Sequence, residues 1–410
     1  MTRVVVTGMG AVTPIGNDVE TFTDNAYQGK IGINKITKFD STDTGVTVAG
    51  EVKDFDPAKL VGKKQAKRMD LFSQYALDAA IQAMNQAQID SENTKDEDLG
   101  VIFGSGIGGL TTIQNQIIKM HDKGPQRVSP LFVPTAIANM AAGNIAIRFN
   151  AKNICTAIVT ACATGTNCIG EAYRQIKENR AEVMICGGSE ASVNEIGIAG
   201  FKALNALSTK ENPAEASIPF DKKRSGFVLG EGAGALVIES LEHAQKRNAK
   251  ILGEIIGYGS NCDAYHITSP DPSGVSQGRA MQLAMDEANL KADEIGYINA
   301  HGTSTKANDA GETLAIKHVF GENSKVKVSS SKSMTGHLLG AAGAIEAVLT
   351  IDALNKQIVP PNVGLTEQDE ECDINVVTKA TADENLEYAL SNSFGFGGHN
   401  AVLAFKRWSE

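Results

Sequence analysis

The residue best suited to covalent chemistry in this sequence is Cys162, which lies in a stretch of small residues at 160–167. An apolar run ending at Val159 predicts a buried strand before it, and apolar residues at helical spacing over 169–176 predict a helix after it. The thiol would then lie near a helix N-terminus, where unpaired N–H groups and the helix dipole favour a thiolate. This arrangement is typical of a nucleophile elbow that forms a covalent intermediate. The alternative is an inert buried cysteine.

Two histidines have surroundings that suit a catalytic partner. His301 and His337 each follow a predicted strand and lie among glycines, which let a backbone and a ligand approach closely. A lone histidine is more often structural, but two of them together with a poised cysteine favour chemistry. Metal binding is a third interpretation; no carboxylate or second thiol lies beside either histidine at ligand spacing, so neither a metal nor a cofactor is expected. His399 follows a glycine turn and remains ambiguous.

The elements that must position these residues alternate between short apolar strands and helices, which predicts an α/β protein with buried sheets. Strands are predicted at 3–7, 100–104, 155–160, 182–187, 234–239, 251–258, 295–300, 325–330, 387–392 and 400–406. Helices are predicted at 70–87, 163–179, 277–289 and 340–355. A Gly-rich turn that leads into an apolar strand occurs twice, at 226–237 and 393–403, which is a weak sign of internal duplication.

Composition restricts the class of protein. The chain has 410 residues, enough for two domains or for two halves that share one core. Its 38 basic and 48 acidic side chains give a net charge of −10, which argues against a general nucleic-acid binder. Six scattered cysteines without a CxxC pair predict reduced thiols in a cytoplasmic protein. The longest weakly polar run, 338–351, is too short to span a bilayer, so no membrane segment is expected.

Several ordered motifs give the sequence a specific family likeness. They are Thr-Ala-Cys at 160–162, Asn-Ala-His-Gly-Thr-Ser-Thr at 299–305, Lys-Ser-Met-Thr-Gly-His at 332–337 and Asn-Ser-Phe-Gly-Phe-Gly-Gly at 392–398. Together they resemble the β-ketoacyl-[acyl-carrier-protein] synthases, in particular the elongation type of bacterial dissociated fatty acid synthesis. The likeness implies a thiolase-like α/β fold of two similar halves stacked as five layers (α-β-α-β-α). Residues 1–250 would carry the nucleophile and 251–410 both histidines, normally in a homodimer.

The resemblance also implies a reaction. Cys162 would accept an acyl group from acyl carrier protein, and malonyl-carrier protein would then lose its carboxylate. His301 and His337 would donate hydrogen bonds to the enolate oxygen. The backbone N–H groups of Cys162 and Phe396 would hold the later oxyanion, and Phe396 would act as a gate. The product would be an acyl chain two carbons longer.

Further residues take roles from the same resemblance. Lys332, hydrogen-bonded to Glu346, would act electrostatically, although the two could form only a buried ion pair. Thr303 and Thr305 would bind the pantetheine arm. The acyl tunnel would be lined by Ile107, Phe201 and Phe132, the last reaching across the dimer. The carrier protein, which is acidic, would dock on a basic cluster made of Lys63, Lys64, Lys67, Arg68 and Lys202.

Two other functions fit the same fold, one catalytic and one non-catalytic. A thiolase would condense coenzyme A esters without decarboxylation, but it needs a second catalytic cysteine, and the one late cysteine, Cys372, lies in an acidic run. A non-catalytic chain-length subunit would typically lack the nucleophile.

The sequence departs from many relatives at Lys306, where proline is common, and at Asn400, which follows histidine instead of threonine. Both departures concern the pantetheine entrance and not the triad.

Overall fold

The computed structural model describes residues 2–409, apart from the side chain of Leu60. Its strands are β1 (Val4–Val12), β2 (Asn34–Lys35), β3 (Val48–Ala49), β4 (Leu99–Gly104), β5 (Cys155–Thr156), β6 (Val183–Glu190), β7 (Gly232–Ser240), β8 (Gly253–Cys262), β9 (Ile295–Asn299), β10 (Lys327–Ser329), β11 (Ile358–Val359), β12 (Thr381–Ala382), β13 (Tyr388–Gly395) and β14 (His399–Lys406). Its α-helices are α1 (Val19–Tyr27), α2 (Pro57–Val61), α3 (Lys63–Ala66), α4 (Leu71–Ala87), α5 (Leu110–Lys123), α6 (Phe132–Ala136), α7 (Met140–Phe149), α8 (Thr164–Lys177), α9 (Glu195–Ala203), α10 (Pro213–Ala216), α11 (Leu241–Lys246), α12 (Val275–Ala288), α13 (Lys306–Phe320), α14 (Lys332–Thr335) and α15 (Ala342–Lys356).

Ten strands form one mixed sheet in the order β10-β9-β13-β14-β8-β1-β7-β6-β4-β5. The order is a mirrored repeat. In the first half, β1 pairs with β7 and β7 with β6, both antiparallel, and β6 pairs with β4 and β4 with β5, both parallel. From β8 outwards, the second half runs through β14, β13, β9 and β10 with the same directions. Only three residue pairs, Val4–Val6 with 253–255, join the halves, so the sheet is two five-stranded sheets that meet at one edge.

The helices complete a five-layer arrangement. One core lies between the first half-sheet and α4 with α7, and includes Phe72, Val101 and Ile185. A second core lies between the second half-sheet and α12 with α13. The largest lies between the two half-sheets, where α8 and α15 are buried and contribute residues such as Ile169 and Val348. The α-β-α-β-α stacking expected from the resemblance is therefore confirmed. The division at residue 250 stays a prediction, which the repeated strand order supports.

The ten predicted strands are the ten strands of the main sheet, and the four predicted helices correspond to α4, α8, α12 and α15. Several predictions were wrong in extent: β1, expected over 3–7, continues to Val12, and β8, expected over 251–258, continues to Cys262. The strand expected over 155–160 ends at Thr156, and Val159 is 52% exposed and not buried. The reason is that β5 is the terminal strand of the sheet, where the apolar run has no further neighbour to pack against. Within the described chain, no helix has both the length and the apolar character that crossing a bilayer requires.

Candidate active site

Cys162 lies in a single 3-10 turn, 161–163, that leads directly into α8. The turn is tight: Ala161 has a φ of +49°, in the left-handed region that non-glycine residues seldom adopt. A Cβ on Gly165 would lie 2.8 Å from the backbone nitrogen of Ala344, so only glycine lets the start of α8 pack against α15. The small residues of this stretch thus serve helix packing as well as access to the thiol.

The structure brings Cys162, His301 and His337 together from positions far apart in the chain. The cysteine Sγ and one ring nitrogen of each histidine all lie within 4.8 Å of one another. The two imidazole rings are 5.3 Å apart between centroids and nearly perpendicular, at 85°. All three side chains are buried, with 8% exposure for Cys162 and 2% for each histidine. This is the spacing at which two ring nitrogens can contact one atom of a group bound to the sulfur.

The two histidines are held by their backbones, which leaves their rings free for a ligand. The N–H groups of His301 and Gly302 donate to the two carboxylate oxygens of Glu312, at 2.8 and 2.7 Å. His337 donates its N–H to the carbonyl of Val228 at 2.7 Å. Glu312 was not among the predicted residues, and burial raises the pKa of its carboxyl to about 7. Its position nearly two helical turns into α13 gave no sequence signal of this contact.

Both imidazoles are neutral donors and acceptors at physiological pH. Burial, reinforced by the charge of Lys332, lowers the pKa of His301 and of His337 well below the ordinary value of 6.5. Within the described chain, Nδ1 of His301 and both ring nitrogens of His337 have no hydrogen-bond partner. Buried polar atoms are normally paired, so each ring has a nitrogen free to contact a bound substrate.

Lys332 and Glu346 form a buried ion pair beside the triad. Their side chains are 1% and 0% exposed, and the lysine Nζ donates to Glu346 Oε1. Burial raises the pKa of the Glu346 carboxyl, and the lysine charge opposes this. The lysine charge also acts on the triad, because it lowers the pKa of both histidines and of the Cys162 thiol. The contact therefore agrees with the electrostatic role expected for Lys332.

Replacing Lys332 with methionine should lower the free energy of unfolding by about 3–5 kcal/mol, because Glu346 would remain buried without its counter-charge. Urea unfolding monitored by circular dichroism measures the change. In the double variant Lys332→Met/Glu346→Gln the stability should largely return, while condensation should stay low in both variants because the positive charge is missing. A single variant as stable as the original chain would contradict the prediction.

The charge state of Cys162 differs from the expectation of a thiolate at a helix end. Burial raises the pKa of the Cys162 thiol to about 12, and the charge of Lys332 and a hydrogen bond from the Phe396 N–H only partly offset it. Without substrate the sulfur therefore carries its proton. The Phe396 N–H nevertheless points at the reacting atom, and a Cβ on Gly395 would lie 3.1 Å from the Cys162 nitrogen. The two N–H groups expected to hold the oxyanion are thus adjacent.

The triad lies at the inner end of a cavity of about 370 Å³ that opens to the surface. Phe394, Phe396 and Thr303 lie along it, and Thr305 and Lys306 lie near the mouth. The Thr303 and Thr305 hydroxyls are 3.0 Å apart, so both can contact one extended arm. The structure therefore places the predicted pantetheine-binding residues on the path from the surface to Cys162.

The predicted tunnel residues do not all lie together. Phe201 lines the cavity and packs against Phe396, with ring centroids 6.5 Å apart. Ile107 and Phe132 are absent from the lining of this cavity in the described chain; Ile107 is 36% exposed and Phe132 is partly buried. The assignments of Ile107 and Phe132 to the tunnel stay predictions.

One buried residue near the tunnel was not predicted. Glu190 accepts hydrogen bonds from the backbone N–H groups of Gly106, Ile107 and Gly340 at 2.8–3.3 Å. Burial raises the pKa of its carboxyl to about 7. It therefore fixes the loop that carries Ile107 against the loop after His337. The glycines of 104–109 marked that loop in the sequence, but nothing there indicated its partner.

The basic cluster predicted for carrier docking is solvent-exposed. Lys63, Lys64, Lys67 and Arg68 lie on and just after α3, are all exposed, and form no ion pair within the described chain. Lys202 is half-buried at the end of α9. Unpaired surface charges of one sign remain available to an acidic partner.

Two sets of atoms have the ligand types that metal ions use. The Cys162, His301 and His337 atoms are close enough to hold one ion, but the buried charge of Lys332 beside them opposes a cation. Among the buried oxygens of the described residues that lack a hydrogen-bond partner are Asn299 Oδ1, Glu346 Oε2, Ser391 Oγ and Asn392 Oδ1. Oxygen ligands suit hard cations or ordered water.

Comparison with known proteins agrees with this site. Residues 1–244 match the model of the beta-ketoacyl synthase N-terminal domain, and residues 252–366 that of the beta-ketoacyl synthase C-terminal domain. The chain is 52% identical over 408 residues to 3-oxoacyl-[acyl-carrier-protein] synthase 2 of Staphylococcus aureus (strain COL), covering 99% of this chain and 98% of that protein. The chain belongs to the beta-ketoacyl synthase family and is an acyl-transferring condensing enzyme.

Solved structures show the same fold. A beta-ketoacyl synthase from Burkholderia phymatum STM815 superposes with a TM-score of 0.93 at 35% identity, covering 100% of both chains. A ketosynthase of a type II polyketide synthase, solved in complex with its acyl carrier protein, superposes with a TM-score of 0.92 at 33% identity, again over 100% of both chains. Both likenesses span the two halves of the sheet.

Proposed function

We propose that this chain is an elongating β-ketoacyl-[acyl-carrier-protein] synthase of the second type. It catalyses the decarboxylating Claisen condensation of malonyl-carrier protein with an acyl group held on Cys162. The observation that carries the proposal is the pair of neutral, unpartnered imidazoles facing a buried thiol beside a lysine charge. Neutral imidazoles can donate hydrogen bonds to a developing oxyanion without losing a proton.

The first half-reaction transfers the acyl group. The Cys162 sulfur attacks the thioester carbonyl, the new C–S bond forms, and the bond to the carrier sulfur breaks. The proton of the Cys162 thiol leaves with the carrier thiol in the net reaction, and a free nitrogen of His337 is close enough to relay it. The N–H groups of Cys162 and Phe396 stabilise the tetrahedral oxyanion.

The second half-reaction forms the carbon–carbon bond. Malonyl-carrier protein enters, and the bond to its carboxylate breaks to release carbon dioxide, which leaves its electron pair in an enolate. His301 and His337 stabilise the enolate oxygen as hydrogen-bond donors, which a neutral imidazole can do without losing its proton. The enolate carbon then attacks the acyl carbonyl, and the bond to the Cys162 sulfur breaks. The released thiolate takes up a proton from water, which restores the neutral thiol. Lys332 stabilises the negative charge throughout.

Phe396 controls access to the sulfur in this proposal. It lines the cavity together with Cys162, with Gly395 before it and two glycines after it, at φ values of +89° and +76°. Backbone of this kind adopts alternative conformations easily. Movement of Phe396 after acylation would admit the malonyl group and order the two substrates.

A direct test uses the purified chain alone with acyl- and malonyl-carrier protein. The expected products are carbon dioxide and a β-ketoacyl-carrier protein two carbons longer, detected by mass spectrometry. Absence of product from the chain alone would favour a non-catalytic chain-length subunit. Condensation of two coenzyme A esters without carbon dioxide would indicate a thiolase, but among the described residues no cysteine other than Cys162 lines the cavity, and Cys372 is buried elsewhere.

The carrier protein would dock on the exposed basic residues Lys63, Lys64, Lys67 and Arg68, together with the half-buried Lys202. Charge complementarity with an acidic carrier would raise the association rate more than the affinity.

A cytoplasmic location belongs to the same proposal, since all six cysteines are free thiols.

We also propose a homodimer, formed through the segment from 107 to 159. No residue of α5 is buried, and this segment exposes large apolar side chains, including Val133 at 59%, Ile147 at 75% and Val159 at 52%. Exposed apolar surface of this extent is unusual on a monomer. The segment ends at the terminal strand β5, whose free edge can pair with the same strand of a second copy.

Replacing Ile147 with aspartate should weaken the dimer by about 100-fold or more, roughly 3 kcal/mol, because two-fold symmetry buries the charge twice. Light scattering coupled to size-exclusion chromatography measures the mass at micromolar concentration. The matched control is Ile267→Asp, at an apolar residue that is 78% exposed but lies outside the segment. A monomeric original chain, or a dimer that tolerates the Ile147 change, would refute the interface.

A further inference from the structure

The mouth of the active-site cavity carries a lysine that the condensation chemistry does not use. Lys306 is the first residue of α13, and its side chain is 55% exposed. It lines the same cavity as Cys162, His301 and His337. Because both histidines are neutral, Lys306 supplies the one positive charge among the described residues that line the cavity.

The backbone at Lys306 is fixed from below by a buried arginine. Arg224 is 2% exposed; its Nε donates to the carbonyl of Thr305 at 3.2 Å, and its Nη2 to the carbonyl of Lys306 at 3.1 Å. Asp309, also buried, lies 3.3 Å from the same guanidinium and accepts from the N–H of Ser304 at 3.2 Å. The backbone at the start of α13 is therefore held by hydrogen bonds on its buried side.

The Lys306 amine is available at small energetic cost. It donates to the carbonyl of Lys222 and lies 3.3 Å from Asp369 Oδ2, an ion pair at the surface. Exposed pairs of this kind contribute little, and Asp369 has a stronger partner in Arg224, whose Nη1 lies at 2.6 Å. A bound anion can thus replace Asp369 as the partner of the amine.

Asp263, the acidic residue of the cavity wall, does not neutralise the charge of Lys306. Asp263 Oδ1 accepts from Asn400 Nδ2 at 2.6 Å, and its Oδ2 accepts from the N–H of Asp271 at 3.0 Å. Both oxygens are therefore occupied within the wall. The first N–H groups of α13, which have no partner inside the helix, add a positive end to the mouth.

We propose that Lys306, with the first turn of α13, binds the phosphate of the pantetheine arm while the thioester is at Cys162. This deepens the proposed function and rests on it, because it names a subsite of the same cavity. The order of contacts fits an extended arm: sulfur at Cys162, amides beside Thr303 and Thr305, and phosphate at the mouth. The chemistry recognised is a phosphate ester, which carrier-bound and coenzyme A-bound thioesters share.

The test compares two probes that differ only in the phosphate, an acyl-4′-phosphopantetheine and the matching acyl-pantetheine. The rate at which each acylates Cys162 is followed by intact-protein mass spectrometry. The original chain should prefer the phosphorylated probe by about fivefold to tenfold, as expected for a partly exposed charge-assisted hydrogen bond. Lys306→Pro should bring the ratio of the two rates close to one, because it lowers the rate with the phosphorylated probe.

The variants are chosen so that folding does not limit the answer. Proline is favoured at the first position of a helix, and Lys306→Ala serves as a second variant with the same expected result. The matched control is Lys222→Ala, an exposed neighbouring lysine paired with Glu367 that is not part of the described cavity wall. Its ratio should stay that of the original chain.

The outcomes separate the two proposals. Equal acylation of the original chain by both probes, or a preference that survives in Lys306→Pro, would overturn the phosphate subsite alone. A loss of preference in Lys222→Ala as large as in Lys306→Pro would also overturn it, in favour of general surface charge. Failure of both probes and of acyl-carrier protein to acylate Cys162 would instead overturn the proposed function.

Discussion

Replacing Cys162 with alanine should abolish the acyl-enzyme and lower kcat for condensation by about 10⁴-fold or more, the scale seen when a covalent nucleophile is removed. The reason is that the cavity offers no second thiol among its described lining residues. Intact-protein mass spectrometry after incubation with acyl-carrier protein should show no added mass. The substitution removes one buried sulfur, so the fold should be retained.

The matched control is Cys168→Ala. This cysteine is equally buried, lies on α8 just after the elbow and contacts the carbonyl of Ile158, but it is not part of the described cavity wall. Its variant should acylate normally. The Cys162→Ala variant should also keep decarboxylation of malonyl-carrier protein, since His301 and His337 remain. Acyl labelling that persists on another cysteine would contradict the assignment of the nucleophile.

Replacing His301 or His337 with alanine should reduce decarboxylation of malonyl-carrier protein by about 10²–10³-fold, because each removes one donor to the enolate oxygen. Acylation of Cys162 should be reduced much less, since its oxyanion is held by backbone N–H groups. Release of carbon dioxide and the added acyl mass measure the two steps separately. The control is His399→Ala, at a histidine outside the described cavity wall.

The lowered pKa values of the two histidines give this prediction a pH dependence. An ordinary histidine would become charged as the pH falls through about 6.5. Here the folded-state pKa of both groups lies well below that value, so both stay neutral, and the decarboxylation rate should stay flat across pH 6.5. The rate should fall only at a distinctly lower pH. A rate that halves near pH 6.5 would show that a histidine titrates there.

The strands, the main helices and the fold class were predictable because they depend on local patterns. A short run of apolar residues predicts a strand, and apolar residues at helical spacing, as in α4, predict a helix. Both patterns can be read from neighbouring residues alone. β5 is shorter than predicted because it is the terminal strand, where the position in the sheet and not the sequence sets how far pairing continues. Glu190 and Glu312 were missed because their partners are backbone N–H groups distant in the chain.

By itself, the sequence determined which residues could react and which family they belong to. The reactive residues lie in short motifs: Cys162, His301, His337 and Lys332. The residue types in each motif follow from the reactivity of one side chain and from the small neighbours that let a substrate approach, and both can be read from adjacent residues. Only the tertiary structure decided their charge states. Burial keeps the thiol of Cys162 protonated and both imidazoles neutral, and Lys332 acts on all three through space. Desolvation and Coulomb energy depend on everything packed around a group, so they cannot be assigned before the chain is folded.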